Sequence, residues 1–342
     1  MEIHVYLLCY NESLIIKNVL KYYSTIATKI FVCDNLSSDN SVEIAKQFDK
    51  VTVIPFDTGG VLDDSMHVTI KTEYYKKYSR EGGCFTTEVA DWIITADMDE
   101  IIYHPDLHSV LREYKDEKVT VPQITAFDIV DQHNINEDQC IVAQYRKGLR
   151  TPSFDKRAVF DVNFDMSYSN GCHPFGPGFE YMKKRHAYKS SNKHKIALLH
   201  YKHIGTRLLD VSKSSLKRFD EKKILKDKVR GYKGPGAHYK LYAEKNYKFS
   251  PLLNNAIPLF DELGYVNFGS FEPATGEAGI VKPKKPYLSK GQIDFLRDVA
   301  IKVEKHDLSV SLLIMEFAKE MNPTGLVINR KVDEYKRKLT DL

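Results

Sequence analysis

Three short apolar runs alternate with helical patterns near the start of the chain, and that alternation constrains the fold more than any other feature. Ile3 to Cys9, Lys29 to Cys33 and Val51 to Pro55 each have the length and composition of a buried strand. Between them, Leu14 to Tyr23 places apolar residues at helical spacing, and Ser37, Ser38 and Asp39 supply turn or N-cap groups for a helix reaching about Phe48. An order of β-α-β-α-β calls for parallel strands joined by right-handed crossovers. The expected class is therefore α/β, with a Rossmann-like, mostly parallel central sheet flanked by helices. In such sheets ligands bind beyond the carboxyl ends of the strands.

The residues at that edge are acidic or amide. Asn11 and Glu12 follow the first strand, and Asp34 and Asn35 follow the second. A further apolar run, Trp92 to Ala96, ends in Asp97-Met98-Asp99-Glu100. If the strand continues, alternation puts Asp97 and Asp99 on one face, with Met98 and Glu100 on the other. Two like charges there repel and lose solvation unless a cation lies between them. That pairing suits a divalent metal carrying a diphosphate. The Gly-rich stretch from Thr58 to Ser65 reads as a loop entering a helix over about 65–78. Its Lys71 reads as a solvated lysine, with a phosphate contact as the alternative.

Three segments carry a resemblance. Leu7-Leu8-Cys9-Tyr10-Asn11-Glu12-Ser13, Phe31 to Ser41 and Asp91 to Glu100 resemble, in order and spacing, the motifs of family 2 glycosyltransferases of the GT-A fold. The resemblance covers residues 1 to about 130. It implies that Glu12 and Asp34 contact the base and ribose of a nucleotide, and that Asp97 and Asp99 contact ribose and metal. It also implies a metal completed by a histidine at the end of a later strand. His200, after Ile196 to Leu199, fits that place, and the set Asp97, Asp99 and His200 suits Mn²⁺ or Mg²⁺. His203 and His173 are weaker ligands by the same reading. Patches around Asp155-Lys156, Gly171-Cys172-His173 and Leu198 to Lys202 resemble a bacterial subgroup associated with cell-surface polysaccharide assembly.

The expected reaction is glycosyl transfer, with inversion, from a nucleotide-diphosphate sugar to a hydroxyl of a glycan or lipid-linked glycan. Glu180 and His173 lead as the base, with Asp155 and Asp128 also eligible. Asn11 lies on the nucleotide rim, and Lys156 or Lys71 is placed to neutralise a phosphate oxygen. Competing classes are a haloacid-dehalogenase-like phosphatase, a sugar nucleotidyltransferase and a non-catalytic glycan-binding protein. The first expects D-x-D-x-[TV], whereas Ile101 follows Glu100; the second expects a glycine-rich loop after strand one, where Tyr10 to Ser13 has no glycine. The third would not need the carboxylates.

Composition bounds the rest. The 342 residues carry 50 basic and 46 acidic side chains, so a net charge of +4 gives no polyanion binder and no nucleic-acid partner is expected. Five scattered cysteines with no C-x-x-C read as reduced core residues, and the absence of a basic leader or a long apolar run predicts a cytoplasmic protein, at most at the inner face of the membrane. The reading divides the chain into a nucleotide-sugar domain, 1–205, and a mainly helical extension, 206–342. The latter holds a Gly-rich basic loop at 231–239, a linker at 282–286 and helices over about 289–305, 309–321 and 326–339. The last of these carries Arg330, Lys331, Lys336, Arg337 and Lys338, a solvated face that also allows a peripheral membrane contact.

Overall fold

The computed structural model describes residues 1–168, 188–207, 210, 218, 249–268, 290–322 and 325–340. They form two compact units, 1–271 and 272–342. Residues 249–268, expected within the C-terminal extension, belong to the first unit: Ile257 and Pro258 pair with Gly148 and Lys147. The loop at 231–239 and the linker at 282–286 lie outside the described residues.

The first unit begins as its periodicity predicts. Strand β1 (Ile3–Cys9) leads through helix α1 (Ile16–Ile26) to β2 (Lys29–Asp34), then through α2 (Ser41–Ala45) to β3 (Val51–Pro55). Helix α3 (Asp64–Tyr78) crosses to β4 (Trp92–Asp97), which pairs in parallel with β1 on the side away from β2. A short antiparallel strand, β8 (Val159–Asp161), closes the order β3-β2-β1-β4-β8. Both faces of β1 are covered, which is why it reads as one continuous apolar run. Ile3, Val5, Leu7 and Cys9 belong to the core that contains Ile16, Val19 and Leu20 of α1, while Tyr6 joins Phe31, Ile70 and Tyr75 on the other face.

A second five-stranded sheet was not foreseen. Strand β5 (Glu100–Tyr103) leads into α4 (Leu107–Asp116), followed by β6 (Ile124–Asp131), a short helix α5 (Ile141–Gln144) and β7 (Lys147–Arg150). With β9 (Ile196–Ile204) and β10 (Ile257–Pro258), preceded by α6 (Phe249–Asn255), they give the order β10-β7-β6-β9-β5. The two sheets are joined through the acidic motif itself. Strand β4 ends at Asp97, Met98 and Asp99 make a turn, and β5 starts at Glu100 in the other sheet. The strand alternation expected through Asp97 and Asp99 is thus broken by the turn, and the two carboxylates meet different partners.

The second unit packs α7 (Lys290–Val303), α8 (Leu308–Met321) and α9 (Leu326–Thr340) around Ala300, Met315, Ala318, Ile328, Val332 and Tyr335. Asp307 caps α8 by accepting from the Val310 N–H at 2.9 Å. Among the described residues no helix is long and apolar enough to cross a membrane. Cys9 and Cys33 are buried as expected, but Cys84 and Cys140 are exposed, so these two are not core residues.

Candidate active site

The strand order turns at β1: the chain goes from β1 to β2 on one side and returns from β3 to β4 on the other. Two crossovers diverging from adjacent strands leave a crevice at their carboxyl ends. Glu12 follows β1 and Asp99 follows β4, so both reach it.

The loops after β1 and β2 are locked to one another. The Asn11 side-chain oxygen accepts from the Ser38 N–H at 2.7 Å, and the Asn11 N–H donates to Ser37 Oγ at 2.9 Å. Asn11 has φ 54, a left-handed conformation that asparagine tolerates better than most residues. Asp34 accepts from both the hydroxyl and the N–H of Ser37, at 2.6 and 3.0 Å. Asp39 caps Ser41, and the Ser41 hydroxyl accepts from the Glu12 N–H at 2.8 Å. The serines and aspartates after β2 therefore build a rigid rim, and Asn11 and Asp34 are part of its framework.

Behind that rim, five carboxylates face four basic groups. Asp97 accepts from Lys71 at 2.7 Å on one oxygen and from Lys156 at 2.9 Å on the other. Lys156 also pairs with Glu100, whose second oxygen accepts from the Asp97 N–H at 3.0 Å and so holds the turn. Lys71 is 2% exposed and so is not the solvated lysine expected from sequence. Burial opposes charge on Asp97, but Lys156 and Lys71 beside it hold its carboxyl well below the usual range.

The second set runs from Glu12 to Asp128. Arg207 is buried and donates to Glu12 at 2.6 Å and to Asp99 at 2.9 Å. Asp99 lies 3.4 Å from His200 Nε2, and Asp128 engages His200 Nδ1 at 2.8 Å while accepting from the Thr151 hydroxyl at 2.9 Å. Burial pushes Glu12 up to about 7 against the pull of Arg207. Burial would lower His200, yet Asp99 and Asp128 raise it to about 9, so the imidazole is charged at neutral pH. Asp99 goes the other way: desolvation is outweighed by Arg207 and His200, and its carboxyl is held low.

This arrangement separates the predicted site residues. Glu12, Asp99 and His200 come together; Asp97 and Lys156 form the adjoining lysine-paired set. His200 lies inside β9, not after it. Asp155 forms a two-point ion pair with Arg150, at 2.8 and 2.5 Å, and accepts from the Ala126 N–H at 2.8 Å. Its oxygens bind β6 to the end of β7, a positioning task. Glu180 and His173 lie outside the described residues.

A divalent cation finds a partial fit. Asp99 faces His200 Nε2, which would become a ligand atom once an ion displaced its proton, and Asp128 holds the far ring nitrogen, as orienting carboxylates do behind metal-bound histidines. Asp97, expected in the same set, has Lys71 on one oxygen and Lys156 on the other. Among the described residues, the group of three that brings ligand atoms within 4.8 Å of one another is Glu2, His4 and Glu88, at the other end of β1.

Sequence reasoning missed Arg207 and gave Lys71 too little weight. Arg207 lies 195 residues from Glu12 and 108 from Asp99, so no local pattern could reveal the pairing. One local signal does precede it. Gly205 has φ +49, and a Cβ there would lie 1.9 Å from the Asn134 side-chain oxygen, which accepts from the Thr206 N–H. Only glycine fits this turn, which carries the chain out of β9 to Arg207.

No known protein family matches the sequence, and no curated protein matches it. Solved structures do. TarS 1-349 of S. aureus is 11% identical, with a TM-score of 0.40 over 99% of this chain and 92% of that one. The same protein in complex with UDP-GlcNAc gives 12% identity and a TM-score of 0.38 over 99% and 92%. Glucosyl-3-phosphoglycerate synthase from Mycobacterium tuberculosis, in complex with phosphoglyceric acid, is 18% identical with a TM-score of 0.23 over 37% of this chain and 44% of that one. At these scores the functional reading has to rest on the site itself.

Proposed function

We propose that the chain is a glycosyltransferase of GT-A type that moves a sugar from a nucleotide diphosphate to a hydroxyl of a glycan or lipid-linked glycan, with inversion, in surface-polysaccharide synthesis. The observation that carries this reading is the convergence of Glu12, Asp99, His200 and Arg207 with the Lys71, Asp97 and Lys156 set at the crevice beside β1. A structural role alone would favour apolar residues there, since buried ion pairs contribute little net stability.

The chemistry follows from charge. As the bond to the anomeric carbon breaks, negative charge grows on the departing diphosphate and must be met by fixed cations. Lys71, Lys156 and Arg207 are such cations, each held in place by a carboxylate, so little reorganisation is needed. A divalent ion held by Asp99 and His200 would supply further neutralisation of the leaving group. Glu12 and Asp34, at the ends of β1 and β2, are assigned to the nucleoside side of the crevice. The acceptor hydroxyl needs a base, which we assign to Glu180 or His173; Asp155 is left to its positioning task.

The test is hydrolysis of a panel of uridine, guanosine and cytidine diphosphate sugars without acceptor, with and without Mn²⁺. The expected result is turnover of one donor that Asp99→Asn abolishes. No turnover or binding of any donor would overturn the reading.

A further inference from the structure

At the end of the first sheet away from the crevice lies a second cluster that the proposed reaction does not use. Glu2 immediately precedes β1, His4 is its second residue, and Glu88 lies in the segment between α3 and β4. One ligand atom from each of the three falls within 4.8 Å of the others. The His4 ring is fully buried. Its Nδ1 meets the Ser79 hydroxyl at 2.6 Å, and Ser79 in turn meets the Tyr6 hydroxyl at 2.5 Å. Nε2 is buried and has no hydrogen-bond partner. An imidazole nitrogen stripped of water with nothing returned is a cost that native cores rarely carry.

We propose that Glu2, His4 and Glu88 form a structural site for a borderline divalent ion such as Zn²⁺, distinct from the crevice. The donor set, one imidazole nitrogen and two carboxylates, suits that ion, with water completing the shell. The Ser79 hydroxyl fixes the ring from behind and leaves Nε2 as the nitrogen for the ion, the usual outer-shell arrangement. Lys29, 3.0 Å from one Glu88 oxygen, neutralises part of the acidic pair. An ion there would tie the first strand to the irregular segment between α3 and β4, which pairs with no strand.

The test uses the full chain, stripped with a chelator and dialysed against Zn²⁺ alone. To remove the crevice as a competing site, Asp99→Asn/His200→Gln is the parent. The parent should bind one ion per chain, and Zn²⁺ should raise its melting midpoint by a few degrees. Adding Glu88→Gln, an exposed position, should weaken binding by at least about tenfold, and Glu2→Gln/Glu88→Gln should abolish both binding and the melting shift. Circular dichroism confirms that each variant is folded. A parent that binds no Zn²⁺, or a Glu2→Gln/Glu88→Gln chain that binds it as tightly as the parent, would overturn the proposal. Because activity is not the readout, failure here leaves the glycosyl-transfer reading untouched, and the reverse also holds.

Discussion

The crevice of the first unit and the last helix of the second are both dense in charge, but they hold it in opposite ways. In the crevice the partners come from distant parts of the chain, and Lys71, Lys156 and Arg207 are each at most 4% exposed. In α9 the partners are mostly neighbours on a helix or on the next one. Lys338 pairs with Glu334 at 2.7 Å, Lys331 with Glu304 at 2.9 Å and Lys336 with Glu316 at 2.9 Å. Buried charge is costly and persists where chemistry needs it; surface charge is cheap and common. The contrast favours a functional reading for the first region and a solvated face for the second. Three of the five basic residues expected to offer α9 to an anionic membrane are tied to carboxylates within the unit.

The contrast breaks most visibly at Lys156. Lys156→Met should destabilise the chain by about 3–5 kcal/mol, read by urea unfolding, because it leaves Glu100 wholly buried without its cation. A loss below about 1 kcal/mol would mean that the crevice behaves like a surface. Arg207→Ala should cost less, about 2–3 kcal/mol, since Glu12 already sits near 7 and can take up a proton once the guanidinium is gone.

His200 sharpens the comparison through pH. Its folded value, about 9, lies above the ordinary 6.5, so its contribution to stability is complete below about pH 6.5 and is lost as pH rises through about 9. Over that window the melting midpoint of the wild type should fall towards that of His200→Gln, and parallel curves would contradict the assignment. The smallest effect belongs to α9: Lys336→Gln and Lys338→Gln should leave the melting midpoint unchanged within error, because both side chains are exposed.

The first sheet was legible because its strands are continuous apolar runs and its helices keep a 3.6-residue period. Val51–Pro55 falls at the expected bounds, and the three C-terminal helices lie within a few residues of theirs. The second sheet was less so. Its strands β5, β7 and β10 are four residues or fewer, too short to show a period, and β9 runs on through His200 to Ile204, past the apolar run Ile196 to Leu199. In the crevice, Glu12, Asp97 and Asp99 stood out because each sits at or just after a strand end, whereas His200 was read as a strand-end residue and lies inside β9. Of the cations, Lys156 and Lys71 were read as candidates to neutralise a phosphate oxygen and Arg207 was missed; whether Lys71 is solvated or buried against Asp97 depends on the crossover of α3, which no local pattern encodes. The turn's effect was not legible, since Met98 and Asp99 carry no glycine or proline to announce a break between sheets.

The central claim is that the crevice beside β1 binds a nucleoside diphosphate through the cations gathered around Asp97 and Asp99. Calorimetric titration of uridine and guanosine diphosphates into the wild type and into Asp99→Asn, with and without Mn²⁺, tests it most directly. One nucleotide should bind the wild type more tightly when Mn²⁺ is present, and the gain should vanish in Asp99→Asn. Equal affinity in both chains, or binding of neither nucleotide, would contradict the account.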